Sequence, residues 1–385
     1  MTRRCSLVGR TFPSQGKGRG FESRHLLQPS PIIFNNMPEI NLEKISLLIS
    51  QKLKEKIEIV DIEKIGSGYH SDGFKLTSKE NRNFFLKRVK SHDYGFEIPE
   101  RKLNSLLVSN GMYRRSGMSP RAIGVVINNQ NEAVIMPELD ENSEIYHIQE
   151  YKTNGASYWS QLESRKAKNR LDQQDLEDLE KITDYICRLH KVKYPSQDIE
   201  QLKIVYNDGL RSVITNPELT IMLLHDFDDR HPILPAREHG KYVGLMLNLM
   251  HLWKDRYDRL SALHGDFWGA NLFFDQDGSI WVIDYSRIPW GDPGLDVGWW
   301  LAQYLWLYHE TNNEYFKESG EKFLEIYIRK TGDKEIRQAV SLVMGLCGII
   351  YIAPKFYPQL NLKPAKTYYK NILAILKNNQ FIWKK

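Results

Sequence analysis

The spacing of apolar positions divides the chain into two unlike halves. A helical period over Leu42 to Lys56 gives way to short runs with the period of strands, Ile59 to Ile65 and Phe74 to Thr77, flanking the turn Gly66-Ser67-Gly68-Tyr69-His70-Ser71-Asp72-Gly73. Asn83 to Val89 alternates strictly, with Phe85, Lys87 and Val89 on one face and Phe84, Leu86 and Arg88 on the other. Pro99 suits a first helical position, and Leu103, Leu106 and Leu107 carry that helix to the stop Asn110-Gly111. A second hairpin follows, Ala122 to Ile127 and Ala133 to Met136 around Asn128 to Asn131, leaving at Pro137-Glu138-Leu139-Asp140.

Beyond this point longer periods dominate. Helices are predicted up to Ile186-Cys187-Arg188-Leu189-His190, over about Val243 to Leu260, through Trp299, Trp300, Tyr304, Trp306 and Tyr308, and over Glu318 to Lys330 and Pro364 to Lys377. Two short strands, Leu272 to Phe274 and Ile280 to Ile283, interrupt them around a Gln276-Asp277-Gly278 turn. Gln197 to Lys241 has a weak pattern and is assigned to an acceptor pocket. Ala339 to Ala353 is the most apolar run, but Ser341, Gly345 and Pro354 make it a buried helix rather than a membrane span.

Composition narrows the picture. At 385 residues, 41% hydrophobic and 26% charged, the chain can bury a large core. The net charge of +5 sits in residues 1–36, which hold six Lys or Arg and one acid, leaving 47 of each sign from Met37 onward. No basic patch therefore asks for nucleic acid. Cys5, Cys187 and Cys347 are widely separated, which reads as a reducing, cytoplasmic setting. Residues 1–36 show no period and no signal-peptide core, and they read as a non-native or disordered extension or a transit peptide. Gly20-Phe21-Glu22-Ser23-Arg24 is also what a transfer RNA T-arm gene encodes, which favours a start at Met37.

Chemistry gathers at three places. Glycines at 66 and 68 let backbone amides approach a phosphate, with Ser67 and Ser71 beside them. Lys87 stands in an apolar strand, either snorkelling to the strand edge or reaching the phosphates of a nucleotide. Glu100 is the chosen carboxylate partner for it, with Glu97 as the rival. The strongest run is Leu263 to Tyr285, where a loop with His264, Asp266 and Asn271 leads through the short hairpin to Asp284. Phosphoryl transfer needs a carboxylate to orient a hydroxyl and take its proton, and hard oxygens to hold Mg²⁺ on the phosphates. Asp266 fits the first need, and Asn271 with Asp284 fits the second.

The sequence His264-Gly265-Asp266 to Asn271, followed by Ile283-Asp284 and by Gly291-Asp292-Pro293 with Asp296, resembles the aminoglycoside phosphotransferase and choline kinase-like family. The resemblance runs from about Ile59 to Trp306. It implies an α+β, protein-kinase-like bilobal fold, with a small antiparallel-sheet N-lobe carrying one helix and a larger, mainly helical C-lobe. The expected divisions are 37–137 for the nucleotide lobe and 138–385 for the catalytic and substrate lobe. It further implies Asp266 as base, Asn271 and Asp284 as metal ligands, Lys87 on ATP, and His264 and Asp296 as supports of the loop. Such a fold would meet adenine at the strand exit, with the Pro137 carbonyl accepting and the Leu139 amide donating.

Only Ser286 to Trp290 separates Asp284-Tyr285 from Gly291, and Gly265 stands where protein kinases carry arginine. A long peptide-docking segment has no room, so a small-molecule hydroxyl is the expected acceptor: an aminoglycoside, an amino alcohol or a sugar-like compound. The aromatic residues from Trp299 to Tyr308 would suit a quaternary ammonium or, more simply, pack the core. A nucleotide-binding scaffold without turnover and a protein kinase are the competing functions.

Overall fold

The computed structural model describes residues 41–67, 71–89, 122–128, 144–150, 156–214, 220, 222–275, 277–285 and 288–384. Its first helix, α1 (Leu42–Leu53), is capped by the Asn41 side chain and ends where Lys54 turns left-handed. Five strands follow: β1 (Ile59–Ser67), β2 (Ser71–Ser78), β3 (Asn83–Val89), β4 (Ala122–Asn128) and β5 (Glu144–Glu150). They form one antiparallel sheet in the order β1-β2-β3-β5-β4.

Alternation explains which side of the sheet is buried. Phe74, Leu76, Phe84 and Leu86 turn inward with Ile45 and Ile49 of α1, making a core of their own, while Lys87 lies on the opposite face of β3. β4 has a partner that the sequence pattern did not announce. Ala133 to Met136 lie outside the described residues, and Glu144–Glu150 hydrogen-bonds to both β3 and β4. The sheet therefore continues past the expected lobe limit at 137. Pro137 and Leu139, also outside the described residues, fall in sequence between β4 and β5 rather than after the strand that leaves the sheet. The extension 1–36, Gly68, Glu97, Glu100 and the helix expected from Pro99 likewise lie outside the described residues.

The larger part is helical: α2 (Tyr158–Ser164), α3 (Gln173–His190), α4 (Ile199–Ile214), α5 (His239–Trp253), α6 (Pro293–Thr311), α7 (Glu314–Thr331), α8 (Ser341–Ile350) and α9 (Leu362–Asn378). The expected α+β class, with a small antiparallel sheet and a larger helical part, is thus present. α6 runs through the middle, buried from Pro293 to Tyr308, so its aromatic residues serve the core. α8 accounts for the apolar run from Ala339, and no helix among the described residues is long and apolar enough to cross a membrane. The weakly patterned stretch after Gln197 contains α4, which packs on Trp290–Gly291 and α8.

The helix expected to reach Leu260 stops at Trp253. Its continuation is diverted because Arg259 is drawn into the interior, where its guanidinium meets Asp292 at 2.7 Å and Asp333 at 2.8 Å. Asp292 also accepts from the Tyr206 hydroxyl at 2.9 Å and caps α6 through the Gly294 amide at 2.7 Å. Those bonds fix where α6 begins. The short strands β6 (Leu272–Phe274) and β7 (Ile280–Val282) pair as a hairpin, with Gly278 at φ 75° in its turn.

Candidate active site

Register sets the sheet's share of the site. Gly66 lies opposite Gly73 and Gly73 opposite Lys87, so the lysine stands two strand spacings, about 10 Å, from the glycine turn along one line across the sheet. Ser67 closes β1 and donates its hydroxyl to Asp72 at 2.6 Å, and Ser71 opens β2. From β3 the Lys87 ammonium reaches the Asp284 carboxylate at 2.7 Å, across 197 residues of sequence. The side chains keep 21% and 34% of their surface, so the pair is open enough to be approached by a ligand.

Backbone bonds bring the loop and hairpin together. The Ile283 amide donates to the Asn271 carbonyl at 2.9 Å, which sets Asp284 beside Asn271. The Asn271 amide nitrogen donates to the Asp266 carbonyl at 2.9 Å and to its carboxylate at 3.3 Å. With the nitrogen so committed, the Asn271 side-chain oxygen faces away from Asp266. Asp284 sits in the left-handed region at φ 65°, a conformation aspartate tolerates better than most residues. Its neighbour Tyr285 packs on His264 at 4.2 Å and shares a hydrogen bond with the Tyr185 hydroxyl.

His264 is a brace whose tautomer its partners dictate. Its Nε2 bonds the Ile283 carbonyl at 2.9 Å and so must donate, while its Nδ1 takes the Asp266 amide proton at 3.2 Å and so must accept. Burial lowers its pKa from 6.5, the partly opposing carboxylates of Asp296 and Asp266 notwithstanding. The imidazole is therefore neutral when folded, and in the window below 6.5 the unfolded chain binds the extra proton. Stability from this group is complete above pH 6.5 and is lost as the pH falls toward the lowered value. His231 and His309, lowered mainly by burial, act in the same sense. Thermal melts between pH 7.5 and 5.5 should show a smaller acid loss for His264→Gln than for wild type; equal slopes would reject the brace.

Asp296, fully buried on α6, accepts the backbone amides of His264 at 2.7 Å and Gly265 at 2.8 Å. Gly265 stands at φ 84°, which explains a glycine there. One further support had no clear signature. His190, at the end of α3, meets Asp296 at 3.2 Å and the Tyr327 hydroxyl at 2.8 Å. Among the described residues no group of three His, Cys, Asp or Glu gathers as a metal cluster. Asn271 and Asp284 instead offer a carboxylate and an amide oxygen, hard donors of the kind magnesium uses alongside phosphate oxygens.

The profile described as "Phosphotransferase enzyme family" matches residues 61–341. No curated protein matches the chain. Among solved structures, a thermostable mutant of aminoglycoside phosphotransferase APH(4)-Ia is 15% identical, covering 86% of this chain and 98% of that one, with a TM-score of 0.48. The choline kinase LicA of Streptococcus pneumoniae is 13% identical over 87% and 99%, with a TM-score of 0.48. An ethanolamine kinase of Plasmodium vivax is 11% identical over 83% and 81%, with a TM-score of 0.48. Identity this low says nothing of substrate.

Proposed function

We propose, because the chain belongs to the phosphotransferase enzyme family, that it moves the γ-phosphate of ATP to a hydroxyl of a small molecule. The observation that carries the reading is the meeting of Lys87 with Asp284 at 2.7 Å, beside Asn271 and Asp266. On this reading Asp266 orients the acceptor hydroxyl and takes its proton as the oxygen–phosphorus bond forms. Lys87 exchanges Asp284 for donor phosphate oxygens, helped by backbone amides of the Gly66–Ser71 turn and the hydroxyls of Ser67 and Ser71. The Asn271 oxygen and the freed Asp284 carboxylate would hold Mg²⁺, which when bound neutralises charge on the transferring phosphates. His264 and Asp296 keep the loop in place. Glu100 or Glu97 remains the proposed partner of Lys87 once Asp284 is released, whereas adenine would be met where the chain leaves the sheet after Glu150, and not at Pro137 and Leu139.

The deciding experiment offers labelled ATP and GTP with a panel of aminoglycosides, amino alcohols, sugars and nucleosides. Label on at least one small hydroxyl compound is expected. Tight nucleotide binding with no transfer would favour a scaffold, and label on protein alone a protein kinase.

A further inference from the structure

We propose that Gln303, which resembles nothing in the motif and lies 37 residues beyond Asp266, is a positioning residue for the loop that carries the proposed metal-holding Asn271. The role rests on the functional reading above, but the geometry stands by itself. α6 runs alongside the loop in step with it. Asp296 takes the amides of His264 and Gly265 at 2.7 and 2.8 Å. One turn on, Trp300 stacks on Phe267 with ring centroids 4.9 Å apart. After a second turn the Gln303 oxygen accepts the amide of Gly269 at 2.9 Å. Positions 296, 300 and 303 share one helical face, so the two side-chain acceptors bracket Asp266 and hold the backbone on either side of it.

The chemistry of Gln303 shows which of its atoms is used. The residue is fully buried, and its amide nitrogen has no hydrogen-bond partner. A buried, unmade donor is destabilising, and an apolar side chain of equal size would avoid it. What no apolar side chain supplies is the oxygen that pairs with the Gly269 amide. Gly269 answers the same constraint, since a Cβ there would lie 2.8 Å from the Gln303 oxygen and 3.0 Å from the Trp159 backbone nitrogen. Gly269 opens the single turn Gly269–Asn271, so the hold on its amide sets the origin from which Asn271 is presented.

The test compares Gln303→Leu and Gln303→Met, which keep volume and lose the oxygen, with Gln303→Glu, which keeps it. Amide hydrogen exchange at Gly269 is read first, then Mn²⁺ affinity by paramagnetic resonance with a non-hydrolysable ATP analogue, then kcat and the acceptor KM. Each apolar variant that folds should exchange the Gly269 amide about tenfold faster, the ratio that one net hydrogen bond is worth. Mn²⁺ affinity and kcat should fall by a similar factor while the acceptor KM stays within about twofold, since the residue acts on Asn271 and not on the acceptor. Gln303→Glu should recover most of the protection and Mn²⁺ affinity. Wild-type exchange and Mn²⁺ affinity in an apolar variant would overturn the proposal, as would a Glu variant no better than Leu. A wild-type chain that binds no Mn²⁺ with the analogue would instead count against the functional reading, leaving the Gly269 exchange to decide on Gln303.

Discussion

Asp266→Asn is expected to lower kcat by about a thousandfold, the middle of the range general-base catalysis supplies, while leaving folding and nucleotide affinity near wild type. The contrast follows from which Asp266 atoms hold the loop. Its amide is fixed on the His264 ring and its carbonyl on the Asn271 side chain, both through Asp266 backbone groups, and the Asn271 amide reaches the carboxylate at a longer 3.3 Å. An asparagine keeps the shape and every backbone bond but cannot take the acceptor's proton. Single-turnover transfer rates, paired with calorimetric titration of nucleotide, separate the two effects. Turnover at the wild-type rate would remove Asp266 from the role of base.

Asp296→Ala should be the most damaging change to the framework. It leaves the buried amides of His264 and Gly265 without their acceptor, at about 1–3 kcal/mol for each unpaired group, and frees His190 as well. A loss of that size is a large share of the stability of an ordinary domain. Urea unfolding should show a clearly lower midpoint with an unchanged slope, and any folded protein should be nearly inactive because the loop is no longer anchored. A variant with wild-type midpoint and rate would show that water or a neighbour takes over the carboxylate's bonds.

The site was legible where its residues crowd together in sequence. His264, Asp266, Asn271 and Asp284 fall within one loop and one hairpin, so spacing alone brought them to a common point, and strict alternation in Asn83 to Val89 set Lys87 apart from the sheet's core. β5 escaped because Glu-Ile-Tyr-His-Ile-Gln-Glu is too polar to stand out as a central strand. The buried ties were hidden for another reason. Arg259 with Asp292 and Asp333, His190 with Tyr327, and Gln303 with Gly269 each join residues far apart, and a side chain that serves a distant backbone amide has no local signature. For Gln303 a faint sign existed: it is a lone amide in an otherwise apolar and aromatic stretch from Val297 to Tyr308, where a polar residue must have a reason to be buried.

The sheet with α1 and the helical part keep separate hydrophobic cores, and the Lys87–Asp284 pair joins a strand of one to the edge of the other. A donor nucleotide seated between those two side chains would therefore behave as a cross-link as well as a reactant. Its binding energy would appear as resistance of the smaller core to melting, growing with the logarithm of ligand concentration.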